Sequence, residues 1–366
     1  MLLLNAAPAG DPQAPFCSEQ EPGMTKSSFS TGMDTARVGA CFMVIVLHVA
    51  AVNFSIFDDQ WWASNFYDSL TRSCVPVFLM ISGVLLLNRH EDIPVFFTKR
   101  FARILPPLLF WSLFYMTWNA WQGRGYGAWT QWVKAVASGP VVFHLWYLYA
   151  ILGIYLFVPL LRRIWSSSQT SDKRAFLLLW MLVSGWPIVG AGFGLDRDFS
   201  LLSSATPVIG LMGYLFLGAY VYEVYQNKLS KVQYWWASAG LFVVFSVLTM
   251  VATFVYSTHV KAPDALFYDY LSPLVMAASV CIFNVLYGLG SALRPYAAAL
   301  NRISACTLGI YCIHIFVMDR FEAMTGLLGS GESSWWSIPF MATLVFGVSL
   351  SIIMVLRRFR PFLHVT

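Results

Sequence analysis

Arg37 and His48 stand eleven residues apart in an otherwise apolar stretch that opens Asp34-Thr35-Ala36-Arg37. At about 100° per residue, that spacing is three turns plus about 20°, so both side chains leave one face of a helix, roughly 16 Å apart along its axis. An arginine at a membrane mouth and an imidazole near mid-membrane suit a long ligand with an anionic head and a reactive tail. A second pair, Arg100 and Arg103, is spaced i,i+3 and shares a helix face. Arginine forks match phosphate oxygens, so the three arginines can form a phosphate-binding rim. Coenzyme A, with a phosphorylated head and a long arm ending in a thioester, has the matching shape. A snorkelling arginine and a hydrogen-bonded interior histidine would leave the same pattern in the first stretch, and an ordinary cytoplasmic basic pair would leave it in the second.

Two further histidines fall in apolar runs. His144 opens one, in Phe143-His144-Leu145-Trp146-Tyr147, among aromatics that also suit an interfacial belt. His314 sits in another, where Ser304, Tyr311 and His314 recur at spacings of seven and three and so face one way. Ionisable groups within a span are costly and point to function. Taken singly, each is also a satisfied structural histidine. Three of them beside a basic rim are harder to explain by packing.

The elements that must position these residues are membrane helices. Of 366 residues, 58% are hydrophobic and 11% charged, whereas a soluble domain carries roughly 45–50% and about 25%. This excludes a soluble globular enzyme, a disulfide scaffold and a disordered chain. At about 20 residues per span, the apolar runs predict ten helices in one all-α bundle, near 38–57, 73–88, 104–121, 141–161, 175–193, 203–222, 234–257, 270–290, 303–319 and 335–356. The second is short and is expected to extend backwards past Arg72 or to tilt. Continuous runs without period-2 alternation exclude a transmembrane barrel. Residues 1–33, rich in Pro, Gly and Ser, read as a flexible cytoplasmic tail rather than a signal peptide, with the membrane domain at 34–366. Asp34 or Thr35 is the expected cap of the first helix.

With ten spans, 17 of the 23 Lys and Arg fall on the side shared by both termini, and Arg72 is among the six on the other. The positive-inside rule then puts both termini in the cytoplasm. The net charge of +5 is thus a cytoplasmic-face feature and no sign of nucleic acid. The six cysteines form no CxxC pair and read as small buried hydrophobes.

Five motifs, in order, resemble the acyltransferase-3 family of polytopic bacterial membrane acyltransferases, in particular the group around the O-acetyltransferase of enterobacterial common antigen. They are Asp34-x-x-Arg37 with His48 after ten intervening residues, Val75-Pro76-Val77-Phe78-Leu79-Met80-Ile81-Ser82-Gly83, Arg100-x-x-Arg103 with Pro106, Phe143-His144-Leu145-Trp146-Tyr147-Leu148, and Leu308-Gly309-Ile310-Tyr311-x-x-His314. The likeness covers most of 34–357. Val38 replaces the Gly that usually follows the arginine, and Gly39 comes next. The resemblance implies a ten-helix enzyme of the bacterial inner membrane that takes an acyl group, most often acetyl, from cytoplasmic acyl-CoA to a hydroxyl of a surface or lipid-linked glycan, without a metal. It implies His48 as the catalytic histidine and Arg37, Arg100 and Arg103 as its essential arginines, and it marks Ser82 and His144 as motif positions. On this reading Arg37, Arg100, Arg103 and Ser82 bind acetyl-CoA, and His48 is general base or transient acyl carrier. His144 and His314 orient the acceptor or relay a proton, and Trp61, Trp62, Trp146 and Tyr147 are available to stack on sugar rings or to anchor in the interface.

Two other functions fit parts of the sequence. A glycosyltransferase using a lipid-phosphate sugar would account for Asp58-Asp59 and Asp196-Arg197-Asp198 as metal-binding acidic pairs, but not for Arg37 and His48. A secondary transporter should show paired broken helices in two repeats, and the sequence lacks that symmetry.

Overall fold

The computed structural model describes residues 26–55, 57–125, 127–194, 207–229, 231–327 and 334–366. Its α-helices are α1 (Lys26–Ala51), α2 (Trp61–Thr71), α3 (Cys74–Leu86), α4 (Ile93–Trp121), α5 (Trp129–Ser138), α6 (Trp146–Ser167), α7 (Thr170–Gly192), α8 (Pro207–Leu229), α9 (Val232–Val260), α10 (Pro273–Ala292), α11 (Ala297–Thr325) and α12 (Ser334–Leu356). No strand occurs among the described residues. Lipid offers backbone amides no partner, so apolar runs of this length close their hydrogen bonds within helices.

Eight helical stretches are long and apolar enough to cross a membrane, with α2 and α3 counted as one, Trp61–Leu86. The protein is therefore an all-α polytopic bundle. Helices α4 and α8 fall outside those eight, yet with 29 and 23 residues they occupy the third and sixth of the ten positions expected from the sequence. The short α5 is an addition that the apolar runs did not announce, with no buried residue.

Helix α1 is the hub, packing against α2, α3, α10, α11 and α12. It starts at Lys26, inside the stretch expected to be a tail. Asp34 is consequently a mid-helix residue and not a cap. Its carboxylate accepts from Asn301 Nδ2 at 3.1 Å and lies 3.4 Å from the Arg37 guanidinium.

The second pass does extend back past Arg72, as a broken helix. Pro76 falls in the first turn of α3, where its missing N–H would otherwise bond the carbonyl of Arg72, so α2 ends at Thr71 and α3 starts at Cys74. This overturns the placement of Arg72 outside the membrane: it lies within the pass, held to the fully buried Asp68. Beyond the break, Gly83 of α3 and Gly218 of α8 each face the other helix's backbone, at Leu215 and Met80. The Ser82-Gly83 motif thus includes a helix-contact glycine.

Five cysteines, 41, 74, 281, 306 and 312, are buried and unpaired, as small hydrophobes should be; Cys17 lies outside the described residues.

Candidate functional site

Helices α1 and α11 run side by side in the same direction, tied by three contacts at increasing height. Arg37 donates to the Ser304 hydroxyl at 3.0 Å, the Cys41 thiol reaches the Thr307 carbonyl at 3.7 Å, and the rings of His48 and His314 stack with centroids 5.2 Å apart and planes 28° apart. The helical period makes Arg37 and His48 share a face, and that face meets the face of α11 carrying Ser304, Tyr311 and His314.

His144 joins from a single 3-10 turn, Phe143–Leu145, just before α6. Its ring lies 5.2 Å from that of His314, nearly perpendicular. The three histidines predicted from separate spans therefore form one cluster. His144 and His314 are fully buried and His48 half-buried.

Hydrogen bonds assign the protons. His314 Nδ1 lies 2.6 Å from the Tyr311 carbonyl and His144 Nε2 lies 3.2 Å from the Cys312 carbonyl. A carbonyl only accepts, so each of these nitrogens carries a hydrogen. The opposite nitrogens, His314 Nε2 and His144 Nδ1, are buried without a protein partner. In neutral rings both are open acceptors. Tyr311 donates its hydroxyl to the His144 carbonyl, which ties α11 to the turn, and Tyr115 of α4 donates to the Cys312 carbonyl at 2.8 Å, which ties α4 to α11.

The basic groups gather at the other end. Arg37, Arg100 and Arg103 all lie within electrostatic reach of Tyr155 on α6. Arg100 faces Glu91 at 3.7 Å, while Arg103 is exposed. Glu91 is a hub that also meets Lys99 at 2.8 Å and Arg162 at 3.7 Å. Burial pushes its carboxyl up, but Lys99, Arg100 and Arg162 outweigh that and hold it below the usual glutamate range. Beside the hub opens a cavity of about 1250 Å³ lined by Arg89, His90, Arg162, Arg163 and Lys173 among others. The charge division counted Arg89, Arg162, Arg163 and Lys173 only among the basic residues of the cytoplasmic side. The signal available was Arg162-Arg163 directly after an apolar run on the same side as Arg100.

The other expected residues have protein partners of their own. Ser82 donates its hydroxyl to the Phe78 carbonyl one turn back, at 2.9 Å. Trp61 is buried at 1% exposure among Phe54, Phe57 and Trp62 and cannot stack on a ligand. Trp146 stacks on Tyr270, whereas Tyr147 turns inward onto Tyr311 and lies within electrostatic reach of Arg37, between the two ends of the site. Asp58 caps α2 by accepting from the amides of Gln60 and Trp61, which explains its position without a metal; Asp196-Arg197-Asp198 lies outside the described residues.

The two ends of the site lie about three turns apart along α1. Arg357, just past α12, donates to the Ala305 carbonyl at 3.2 Å, one residue from the Ser304 that binds Arg37. The end of α12 therefore shares the arginine end, and the histidines lie several turns away.

A family profile described as an acyltransferase domain matches residues 30–354. A curated relative from Staphylococcus aureus (strain MRSA252), named "Probable poly-beta-1,6-N-acetyl-D-glucosamine export protein", is 23% identical over 344 residues, covering 89% of this chain and 92% of the relative. No solved structure matches the chain.

Proposed function

Because this chain belongs to the acyltransferase-3 family and is a multi-pass membrane acyltransferase, we propose that it moves an acyl group, acetyl first among them, from cytoplasmic acyl-CoA to a hydroxyl of a surface or lipid-linked glycan. The supporting observation is the parallel pairing of α1 with α11, which carries Arg37 at one end and the stacked His48 and His314 at the other. Arg37, Arg100 and Arg103 neutralise the phosphates of the donor, and the cavity beside Glu91 adds Arg89, Arg162 and Arg163 to the same face. The thioester arm follows the α1 face for roughly 16 Å to His48.

In this reading His48 takes the proton of the acceptor hydroxyl as its oxygen attacks the thioester carbonyl. The carbon–sulfur bond breaks, and the proton passes to the departing thiolate. The open nitrogens of His314 and His144 supply acceptors that hold the hydroxyl or relay its proton. With Arg72 set within a pass, 17 basic residues against five favour both termini in the cytoplasm, and the family likeness favours a bacterial cytoplasmic membrane.

The test is turnover of acetyl-CoA by detergent-purified protein, with a glycan extract as acceptor. Release of free thiol should vanish in His48→Ala with donor binding kept, and Arg37→Ala should weaken donor binding. Folded wild-type protein that neither binds nor turns over acetyl-CoA or other short acyl-CoAs overturns the donor assignment.

The relative's name favours a second reading, export of a glycan polymer. It predicts glycan flux into proteoliposomes that His48→Ala leaves intact and that needs no acyl donor.

A further inference from the structure

On the histidine side, a cavity of about 630 Å³ opens between the ends of α4 and α11, lined by Tyr115, Trp118, Gln122, Phe143, Asp319 and Arg320 among others. We propose that this cavity is the binding site for a saccharide ring of the acceptor, with Phe143 as the platform on which the ring stacks. The proposal rests on the acyltransferase reading above and names where its acceptor sits.

Five observations carry it. The cavity is of ligand size, within the roughly 300–1,000 Å³ of small-molecule sites. Its lining mixes aromatic rings with planar hydrogen-bonding groups: Gln122, Arg124, Asp319 and Arg320. Sugar rings need that combination, because their C–H faces are apolar and their rims carry hydroxyls. Arg320 has its guanidinium 4.8 Å from the Trp118 ring and keeps a buried Nε without a protein partner. A buried donor left unpaired is costly, and a sugar hydroxyl would satisfy it.

Phe143 makes the connection to chemistry. It is 59% exposed, yet its ring lies 5.2 Å from that of His48, edge to face, and it also packs edge-on against His144 at 5.8 Å. Tyr115, on another wall of the cavity, meets His144 at 5.4 Å. A sugar lying on the face of Phe143 would bring its hydroxyls to the edge of the histidine cluster.

The location also suits two substrates meeting from opposite sides. Trp118 lies eighteen residues beyond Arg100 on α4, roughly 27 Å along the helix. One helix thus carries a donor-side arginine at its start and the cavity at its end.

The experiment is a mixed glycan array probed with the full-length protein in detergent, with acetyl-CoA affinity measured separately on the same preparations. Wild type should bind a defined set of glycans. Phe143→Ala and Asp319→Asn should each lower that signal at least tenfold, and Phe143→Tyr should restore it, while acetyl-CoA affinity changes less than twofold in all three. Glycan binding unchanged in Phe143→Ala, or no glycan bound by wild type, overturns the proposal. Loss of acetyl-CoA binding by wild type with glycan binding intact would instead overturn the donor assignment and leave the cavity assigned.

Discussion

The rings of His48 and His314 stack at 5.2 Å although 266 residues separate them. The Nδ1–H of His314 is committed to the Tyr311 carbonyl, so its second nitrogen is held open inside the bundle. The two rings differ in setting: His48 is half-buried, while His314 is buried and oriented by its hydrogen bond.

The two should fail differently. His48→Ala is expected to lower kcat by about 10²–10⁴-fold, the range for loss of a general base. His314→Asn should lower kcat by about 10-fold or more while leaving the donor KM within twofold, because it touches the transfer step and not the arginine rim. A donor KM that rises in step with the fall in kcat for His314→Asn would show that the residue serves donor binding.

The pair of Asp68 and Arg72 is a buried ion pair at the break between α2 and α3. Arg72 Nη2 donates to Asp68 Oδ2 at 2.8 Å, and its guanidinium covers the Tyr268 ring at 4.5 Å. Removing one partner strands a buried charge and costs about 3–5 kcal/mol, while removing both is far milder. Asp68→Asn should therefore lower the melting temperature sharply, and Asp68→Asn combined with Arg72→Met should recover much of the loss. The measurement is thermal unfolding in one detergent; additive losses would show that the pair is not coupled.

Gly83 and Gly218 test the contact of α3 with α8. A methyl group at either would press on the partner's backbone carbonyl, which cannot rotate away as a side chain could. Gly83→Ala and Gly218→Ala should each destabilise by about 1–3 kcal/mol, the cost of overpacking. Gly240→Ala on α9, where a methyl group would meet nothing within 4 Å, is the control and should not destabilise. Equal melting temperatures for all three would contradict the close approach.

Glu91 gives an acid-side prediction. Its carboxyl is held below the ordinary range by Lys99, Arg100 and Arg162 against the opposing effect of burial. A group whose pKa falls on folding contributes stability above its unfolded value, about 4.3 for glutamate, and loses it as pH drops through the folded value. Thermal stability should thus fall below about pH 4 in wild type and depend less on pH in Glu91→Gln. Identical pH profiles would show that Glu91 does not anchor the basic cluster.

The sequence by itself determined what a single helix determines. Apolar runs announced the membrane helices, eight of them long and apolar enough to span among the described residues, because lipid forces backbone hydrogen bonds inward, and the 3.6-residue period put Arg37 with His48, and Ser304 with Tyr311 and His314, on common faces. Tertiary structure decided which faces meet. It brought Arg37 to Ser304 across 267 positions, sank Trp61 into the core, drew Arg72 inside a broken pass, and turned Asp34 from a supposed cap into a partner of Arg37 and Asn301. It also left Phe143 exposed against His48. Periodicity acts along one chain segment, whereas partner choice follows from how side chains of distant helices fill shared space, and no local spacing records that.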